Sequence, residues 1–284
     1  MRQTSSVLYI AVDSLIPVRG KSIPGLDEFT AAIDHRGIPA VWLTSRSRLQ
    51  FDEPRRKLGH SHPFIAEDGC AVYLPEDYFH LRPESTLSRL QKTATVRLGR
   101  FTCIPIAEAL PAASDALEAL SEDTGVPLVT LRSLSPRELV QNTGLPQREA
   151  ELVRQRDFDD VFFFAGASED EIKRFQAESL KRKVTCRQHG ILWSAAIGPS
   201  TQRCIRDLAK LYDRALRYHA HTLGVATSEL ATELFPFCDR TVLLTDRKSD
   251  HSPEDPSDPP HQLRIPLHSP DVWERLMEAL STKT

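Results

Sequence analysis

Polar side chains directly follow three short apolar runs that the sequence predicts to be buried strands. Asp13 comes after residues 7–12, the segment Thr44-Ser45-Arg46 comes after residues 40–43, and Asp68 closely follows a third run. Ligands of doubly wound α/β sheets bind at the carboxyl ends of the parallel strands, so we expect these side chains to line one cleft. Hydroxyl groups and an arginine are suited to phosphate oxygens, although Thr44 and Ser45 could instead cap the helix that follows.

The composition excludes several classes of protein. The chain has 284 residues with 36 Lys plus Arg and 39 Asp plus Glu, and its net charge of −3 argues against a dedicated nucleic-acid binder. Its longest apolar runs have the length of strands, far below the roughly 20 residues that span a bilayer, so we expect no membrane partner. The five cysteines never form a Cys-x-x-Cys pair, which disfavours a disulfide scaffold or a zinc site. We therefore predict a cytoplasmic globular protein.

The order of predicted elements divides the chain into a core and an insertion. Strand, helix and strand alternate over the first part of the chain, and this parallel pattern returns in the last third. Between them lies an α+β unit, with a closing hairpin whose tip Arg187-Gln188-His189 could face the core. We expect a core of residues 1–84 and 197–284 and an inserted unit of residues 85–196. The Asp-, Ser- and Pro-rich stretch Lys248–His261 is predicted to be a solvated loop.

Several motifs resemble those of the haloacid dehalogenase superfamily, and of the mannosyl-3-phosphoglycerate phosphatases in particular. The most specific is the run Gln155-Arg156-Asp157-Phe158, where that family typically shows Gln-Arg-Glu-Tyr followed by an acidic patch and Phe. The match extends over nearly the whole chain. The other matching motifs are Leu134–Leu139, Thr143-Gly144-Leu145, Thr44-Ser45-Arg46, Pro63–Gly69 and Ser269-Pro270-x-x-Trp273.

The resemblance implies a fold, a site and a cofactor. The fold is a Rossmann-like α/β core with a parallel sheet and an inserted α+β cap domain, which closes with the core over a cleft. By their positions in the family's motifs, Asp13 and Thr44 are the catalytic residues, and Asp13 with Glu229 would hold Mg²⁺. The ligand is a phosphorylated small molecule, and the residues implied to bind its phosphate or its organic part are Ser45, Arg46, Asp68, Gln155, Arg156, Thr201 and Thr227.

The first catalytic motif of the family is incomplete in this chain. The family pattern Asp-x-Asp-Gly-Thr is matched here by Ala-Val-Asp-Ser-Leu at positions 11–15, so only one acid of the pair remains. If Asp13 corresponds to the second acid, Ala11 replaces the nucleophile. If Asp13 corresponds to the first acid, Leu15 replaces the general acid. The sequence leaves both correspondences open.

Further losses lead to three hypotheses for the function. Thr201 stands where the family has its lysine, and Thr227 stands in place of a metal-binding aspartate. The leading hypothesis is therefore a phosphatase-like protein that binds a phosphorylated sugar or glycerate metabolite, with its phosphatase activity weak or lost. The second is an active Mg²⁺-dependent phosphatase that uses Asp13 as nucleophile, with Glu229 or Glu233 replacing the lost metal acids. The third is a regulatory or protein-interaction module of the same fold.

Overall fold

The computed structural model describes residues 6–18, 21–79, 95–245 and 262–281 of the chain. The predicted loop at Lys248–His261 lies outside the described residues. The strands are β1 (Ser6–Ala11), β2 (Ala40–Leu43), β3 (Phe64–Ala66), β4 (Ala71–Pro75), β5 (Val96–Leu98), β6 (Phe101–Pro105), β7 (Leu128–Thr130), β8 (Asp160–Phe164), β9 (Val184–His189), β10 (Leu192–Ile197), β11 (His221–Thr227), β12 (Arg240–Thr245) and β13 (Gln262–Pro266). The helices are α1 (Leu26–His35), α2 (Arg48–Lys57), α3 (Leu110–Thr124), α4 (Pro136–Thr143), α5 (Gln147–Val153), α6 (Glu169–Lys181), α7 (Thr201–Leu216), α8 (Ser228–Leu234) and α9 (Val272–Ser281).

The larger sheet has nine strands in the order β13-β12-β11-β1-β2-β3-β4-β6-β5. The pairings from β13 to β3 are parallel, and those from β3 to β5 are antiparallel. The central strand β1 is apolar on both sides because Leu8 and Ile10 pack into one hydrophobic cluster while Tyr9 and Ala11 pack into another. The predicted α/β class with a mainly parallel sheet is confirmed.

The smaller sheet is antiparallel, in the order β7-β8-β10-β9. A hydrophobic cluster that includes Leu117 and Leu120 of α3, Phe162 of β8, Phe175 of α6 and Trp193 of β10 covers one of its faces. These two helices therefore cover that face, while on the opposite face Val161 packs with Leu139 of α4 and with Ala150 and Val153 of α5.

Two strands within the expected inserted unit extend the larger sheet. The expected inserted unit of residues 85–196 includes β5 and β6, but β6 pairs with β4 and so extends the edge of the larger sheet. The pairing is stable because Phe101 and Cys103 of β6 join the core cluster of the larger sheet. The division of the chain into a core and an insertion stays a prediction.

The burial of one side of helix α2 was not predicted, because the basic residues 55–57 are typical of a solvated face. Ser47 and Gln50 form a reciprocal capping box at its start, which satisfies free backbone N–H groups. Arg55 is buried, with its guanidinium 5.0 Å from the ring centre of Phe101 and 5.6 Å from that of Phe64. The helix thereby closes the part of the core beside β3 and β6. None of the described helices is long and apolar enough to cross a membrane.

Candidate functional site

A cleft of about 780 Å³ lies between the carboxyl ends of the parallel strands and the face of the smaller sheet that carries Val161, Leu192 and Ser194. This is the position at which doubly wound sheets bind ligands. Both sheets contribute to its walls, together with α5 and α8. Its lining consists of Asp13, Pro17, Val18, Ser45, Arg46, Gln50, Asp68, Leu145, Val153, Arg156, Val161, Arg187, Gln188, His189, Gly190, Leu192, Ser194, Leu230 and Glu233.

The Asp13 carboxylate binds the groups that the sequence assigned to phosphate. Its Oδ1 accepts a hydrogen bond from Thr44 Oγ1 at 2.5 Å, and its Oδ2 accepts from both the backbone N–H and the Oγ of Ser45 at 2.7 Å. The Nε of Arg46 lies 3.8 Å from Oδ1, and the other end of this guanidinium donates to the carbonyl oxygen of Ile16. The structure brings these four predicted residues together, but their donors already serve the carboxylate of Asp13.

A second, much smaller cavity lies at the ends of β1 and β2. It is lined by Ala11, Thr44 and Thr201, among others, and it is narrowed by Leu230 and Leu234 of α8. Its volume is about 20 Å³, which is enough for about one water molecule and too small for a phosphoryl group. Thr201 therefore faces this small cavity, and it is absent from the lining of the large cleft. Thr227 ends β11 and lines neither space.

The turn Glu67-Asp68-Gly69 connects β3 to β4 of the larger sheet and contacts the smaller sheet at the base of the cleft. All three residues have left-handed backbone, with φ values of 51°, 54° and 86°. This conformation costs free energy for Glu67 and Asp68, which carry side chains, so contacts of the turn with the surrounding residues must stabilise it. The fully buried Glu67 carboxylate accepts backbone hydrogen bonds from Asp157 at 3.1 Å, Phe158 at 2.8 Å and Asp159 at 3.1 Å. The turn thereby holds the chain that enters β8.

Arg156 is part of the same junction. Its guanidinium pairs with the Asp159 carboxylate at 2.5 and 2.6 Å, and it donates to Gln50 Oε1 at 2.9 Å and to the carbonyl oxygen of Ser45 at 2.8 Å. Only 5% of its side chain is exposed. Burial, followed by the nearby Asp159 carboxylate, raises the pKa of Glu67 to about 8. Arg156 therefore lines the cleft, and the hydrogen bonds named here all go from its guanidinium to groups of the protein itself.

Gln155, its predicted neighbour in substrate binding, is placed differently. Its side chain is exposed and donates to the carbonyl oxygen of Glu151 at 3.2 Å, and it is absent from the lining of the cleft. The difference arises because Gln155 and Arg156 are adjacent in the chain after the end of α5, and adjacent side chains point in different directions.

A network across the cleft contains two basic residues of β9. His189 Nε2 lies 2.7 Å from Asp68 Oδ2, and Arg187 donates to the backbone carbonyl of Asp68 and to Glu233 Oε2, the latter at 2.8 Å. Ser194 Oγ is 3.4 Å from the same Asp68 oxygen. The predicted hairpin tip does face the core, and the signal in the sequence is the spacing of two residues, which places Arg187 and His189 on one face of a strand. From the sequence, Glu233 is expected only as a replacement metal ligand, and its pairing with Arg187 was not predicted.

Asp68 favours the protonated form of His189. Burial lowers the pKa of His189, but the hydrogen bond and the charge of Asp68 outweigh it and raise the pKa above the ordinary value. We expect the isosteric variant Asp68→Asn to lower the pKa of His189, measured by NMR titration of the imidazole. His219, which pairs with Asp213 on the surface, is the internal control and should titrate as before. An unchanged pKa of His189 in the variant would contradict this account.

Mg²⁺ is the cofactor that the resemblance implies, and the described residues show no cluster of metal-ligating side chains for it. Mg²⁺ takes oxygen ligands in near-octahedral geometry, usually with one or more carboxylates. Within the described ranges, no group of three or more His, Cys, Asp or Glu side chains could hold a metal ion. The Asp13 oxygens are engaged by Thr44 and Ser45, and the side chain of Glu229 lies outside what the structure describes. Mg²⁺ therefore stays a prediction of the resemblance, and no chemical step is derived through it.

The fold is shared with solved hydrolases of the haloacid dehalogenase type. A phosphatase of the haloalkanoate (HAD) enzyme superfamily from Bacteroides thetaiotaomicron matches with a TM-score of 0.61 and 13% identity, over 98% of this chain and 97% of that chain. The chain therefore has the fold of the haloacid dehalogenase superfamily, and the resemblance predicted from its motifs is confirmed.

At the level of sequence, the chain is similar to glucosyl-3-phosphoglycerate/mannosyl-3-phosphoglycerate phosphatases. The protein of that name from Persephonella marina is 27% identical over 226 residues, which are 78% of this chain and 77% of that protein. The one from Methanococcoides burtonii is 25% identical over 139 residues, so that match spans 49% of this chain and 46% of the relative. No protein-family model matches the chain.

Proposed function

We propose that this protein binds a phosphorylated sugar or glycerate-type metabolite in the large cleft and that its phosphatase activity is weak or lost. The observation that carries the proposal is the 20 Å³ cavity beside Ala11, Thr44 and Thr201. If Asp13 corresponds to the second acid of the family's motif, this cavity is where a nucleophile and a lysine would meet the phosphoryl group. It has space for about one water molecule, because Leu230 and Leu234 of α8 occupy the room beside these small side chains.

The large cleft keeps groups that suit an anionic ligand. Arg46, Arg187 and His189 line it, and each is fixed by a bond to the protein. Guanidinium groups that are held in place form charge-assisted hydrogen bonds to phosphate without further loss of side-chain entropy, and an imidazole N–H beside them can donate to the same ligand. Their role in this proposal is to bind and orient the phosphorylated ligand.

An active phosphatase that uses Asp13 is the second candidate, and the position of Asp13 favours it. This carboxylate lines the large cleft, and its side chain is 26% exposed. A carboxylate attacks a dianionic phosphate only when cations offset the repulsion between the two negative groups. Arg46 supplies one such cation, with its Nε 3.8 Å from Asp13 Oδ1. This candidate predicts turnover that Asp13→Asn abolishes while the fold is kept.

One experiment separates the two candidates. Phosphate release from mannosyl-3-phosphoglycerate and a panel of phosphosugars is measured with and without Mg²⁺, for the wild type and for Asp13→Asn, beside calorimetric titration of the same compounds. We expect measurable binding with no release above the uncatalysed rate in either protein. Release that needs both Mg²⁺ and Asp13 would overturn the proposal in favour of an active phosphatase. Absence of both binding and release would overturn both candidates.

A further inference from the structure

The cleft-facing side of the smaller sheet changes from charged to apolar across its strands. On the edge strand β9, Arg187 and His189 face the cleft. In the antiparallel register, Ser194 lies opposite Arg187 and Leu192 lies opposite His189 on β10. One strand further, Val161 of β8 lies opposite Ser194. Since opposite residues of neighbouring strands point to the same face, the charges occupy one end of this wall and aliphatic groups occupy the other.

The apolar end extends beyond the sheet. Val153 at the end of α5 and Leu145 in the loop before it also line the cleft. Both pack in one continuous hydrophobic cluster with Val161 and Leu192. The cleft therefore has a contiguous aliphatic wall, and the charged side chains of β9 lie at the other end of this wall, near Asp68.

This division conflicts with a ligand that is polar throughout. The hydroxyl groups of a sugar lose their water against an aliphatic wall and find no donor or acceptor there, which costs free energy. An apolar group on the same wall gains free energy in proportion to the area that it buries. The volume of about 780 Å³ is also within the range of about 300–1,000 Å³ that is typical of sites for drug-sized ligands.

We propose that the ligand is a phosphate monoester that also carries an apolar group, an aromatic ring or a short alkyl chain attached to its sugar or glycerate part. The phosphate lies at the Arg187 and His189 end of the cleft. The apolar substituent lies against Leu145, Val161 and Leu192. This assignment deepens the proposed function and rests on it for the phosphate, while the apolar substituent follows from the aliphatic wall alone.

A matched pair of ligands tests the apolar substituent. Glucose 6-phosphate and 4-nitrophenyl β-glucoside 6-phosphate carry the same phosphate and differ by the ring, and 4-nitrophenyl β-glucoside lacks the phosphate. We expect calorimetric titration to show the nitrophenyl phosphate binding at least about tenfold more tightly than glucose 6-phosphate, because the ring buries apolar area. We expect the neutral glucoside to bind more weakly than the nitrophenyl phosphate.

Two leucines of the same cluster give a matched pair of variants. Leu145 and Leu134 are both partly buried and pack on the same cluster, but only Leu145 lines the cleft. We expect Leu145→Ser to remove most of the advantage of the nitrophenyl compound while glucose 6-phosphate binds as before. We expect Leu134→Ser to change neither affinity, although both variants lower the melting temperature.

The outcomes distinguish the two proposals. Equal affinity of the two phosphates, or an equal effect of the two serine variants, would overturn the apolar substituent and leave phosphate binding in place. Failure of every phosphorylated compound to bind would overturn the proposed function and this inference together. Tight binding of the neutral glucoside, with no gain from the phosphate, would overturn the placement of phosphate at Arg187 and His189.

Discussion

Replacing Arg156 with methionine is expected to lower the free energy of unfolding by about 3–5 kcal/mol at pH 7, because it removes one partner of a buried ion pair. The Asp159 side chain is 1% exposed and would lose both of its short bonds to the guanidinium. The same change also breaks the bonds to Gln50 and to the Ser45 carbonyl, which connect the two sheets. Chemical denaturation measures the loss.

The pH dependence of this loss follows from Glu67. Its pKa is raised from 4.5 to about 8 in the folded protein, so its contribution to stability is full below about pH 4.5 and is lost as the pH rises through 8. Arg156 lowers this pKa, so in the variant the loss continues to a higher pH. The difference between wild type and variant should therefore be larger at pH 9 than at pH 7. The matched control is Arg97→Met, which removes a solvent-exposed ion pair with Glu76 and should leave the free energy of unfolding nearly unchanged. A loss of the same size in both variants, or a pH-independent difference, would refute the role given to the junction.

Replacing Gly69 with alanine is expected to destabilise the protein by about 2–4 kcal/mol, from a strained backbone and a steric clash together. Gly69 has φ of +86°, and an added Cβ would lie 2.7 Å from the backbone nitrogen of Thr201 and 3.1 Å from the carbonyl carbon of Ser200. These are backbone atoms in and next to the first turn of α7, so they cannot rotate away as the end of a side chain would. Thermal unfolding followed by circular dichroism measures the effect.

Gly59 provides the control for this substitution. It has a similar φ of +67°, but an added Cβ would meet nothing within 4 Å. Gly59→Ala should therefore cost only the backbone term of about 1 kcal/mol. If both alanine variants lose the same stability, the close approach of α7 to Gly69 contributes nothing.

The fold was largely predictable because its strands are strongly patterned. The apolar run that contains Leu8 and Ile10 is buried on both sides, and that type of strand occurs in parallel sheets. The membership of β6 was not predictable, since a strand with Phe101 at its start fits either sheet and only pairing with β4 decides. The burial of α2 was not predictable, because arginine is normally a surface residue. The contacts of Arg55 with Phe64 and Phe101 depend on the tertiary structure.

The candidate site was predictable in part. Asp13 and the segment Thr44-Ser45-Arg46 follow strands that turned out to be neighbours, so topology alone brings them together. The sequence could not show that Asp13 takes up the donors of Thr44 and Ser45, because that depends on side-chain distances. The network of Arg187 and His189 depends on how the two sheets face each other, which no local pattern encodes.

The left-handed turn at residues 67–69 has a consequence for the way the molecule comes apart. One residue of the turn holds the chain entering β8, the next contacts His189 of β9, and the third packs against the start of α7. Loss of order in the smaller sheet would leave the Glu67 carboxylate buried without its three N–H donors, and loss of order in the larger sheet would release the turn itself. Ala196 of β10 also packs in the hydrophobic cluster of the larger sheet. Together with this shared segment it makes the two sheets one cooperative unit, so the chain is expected to melt in a single transition.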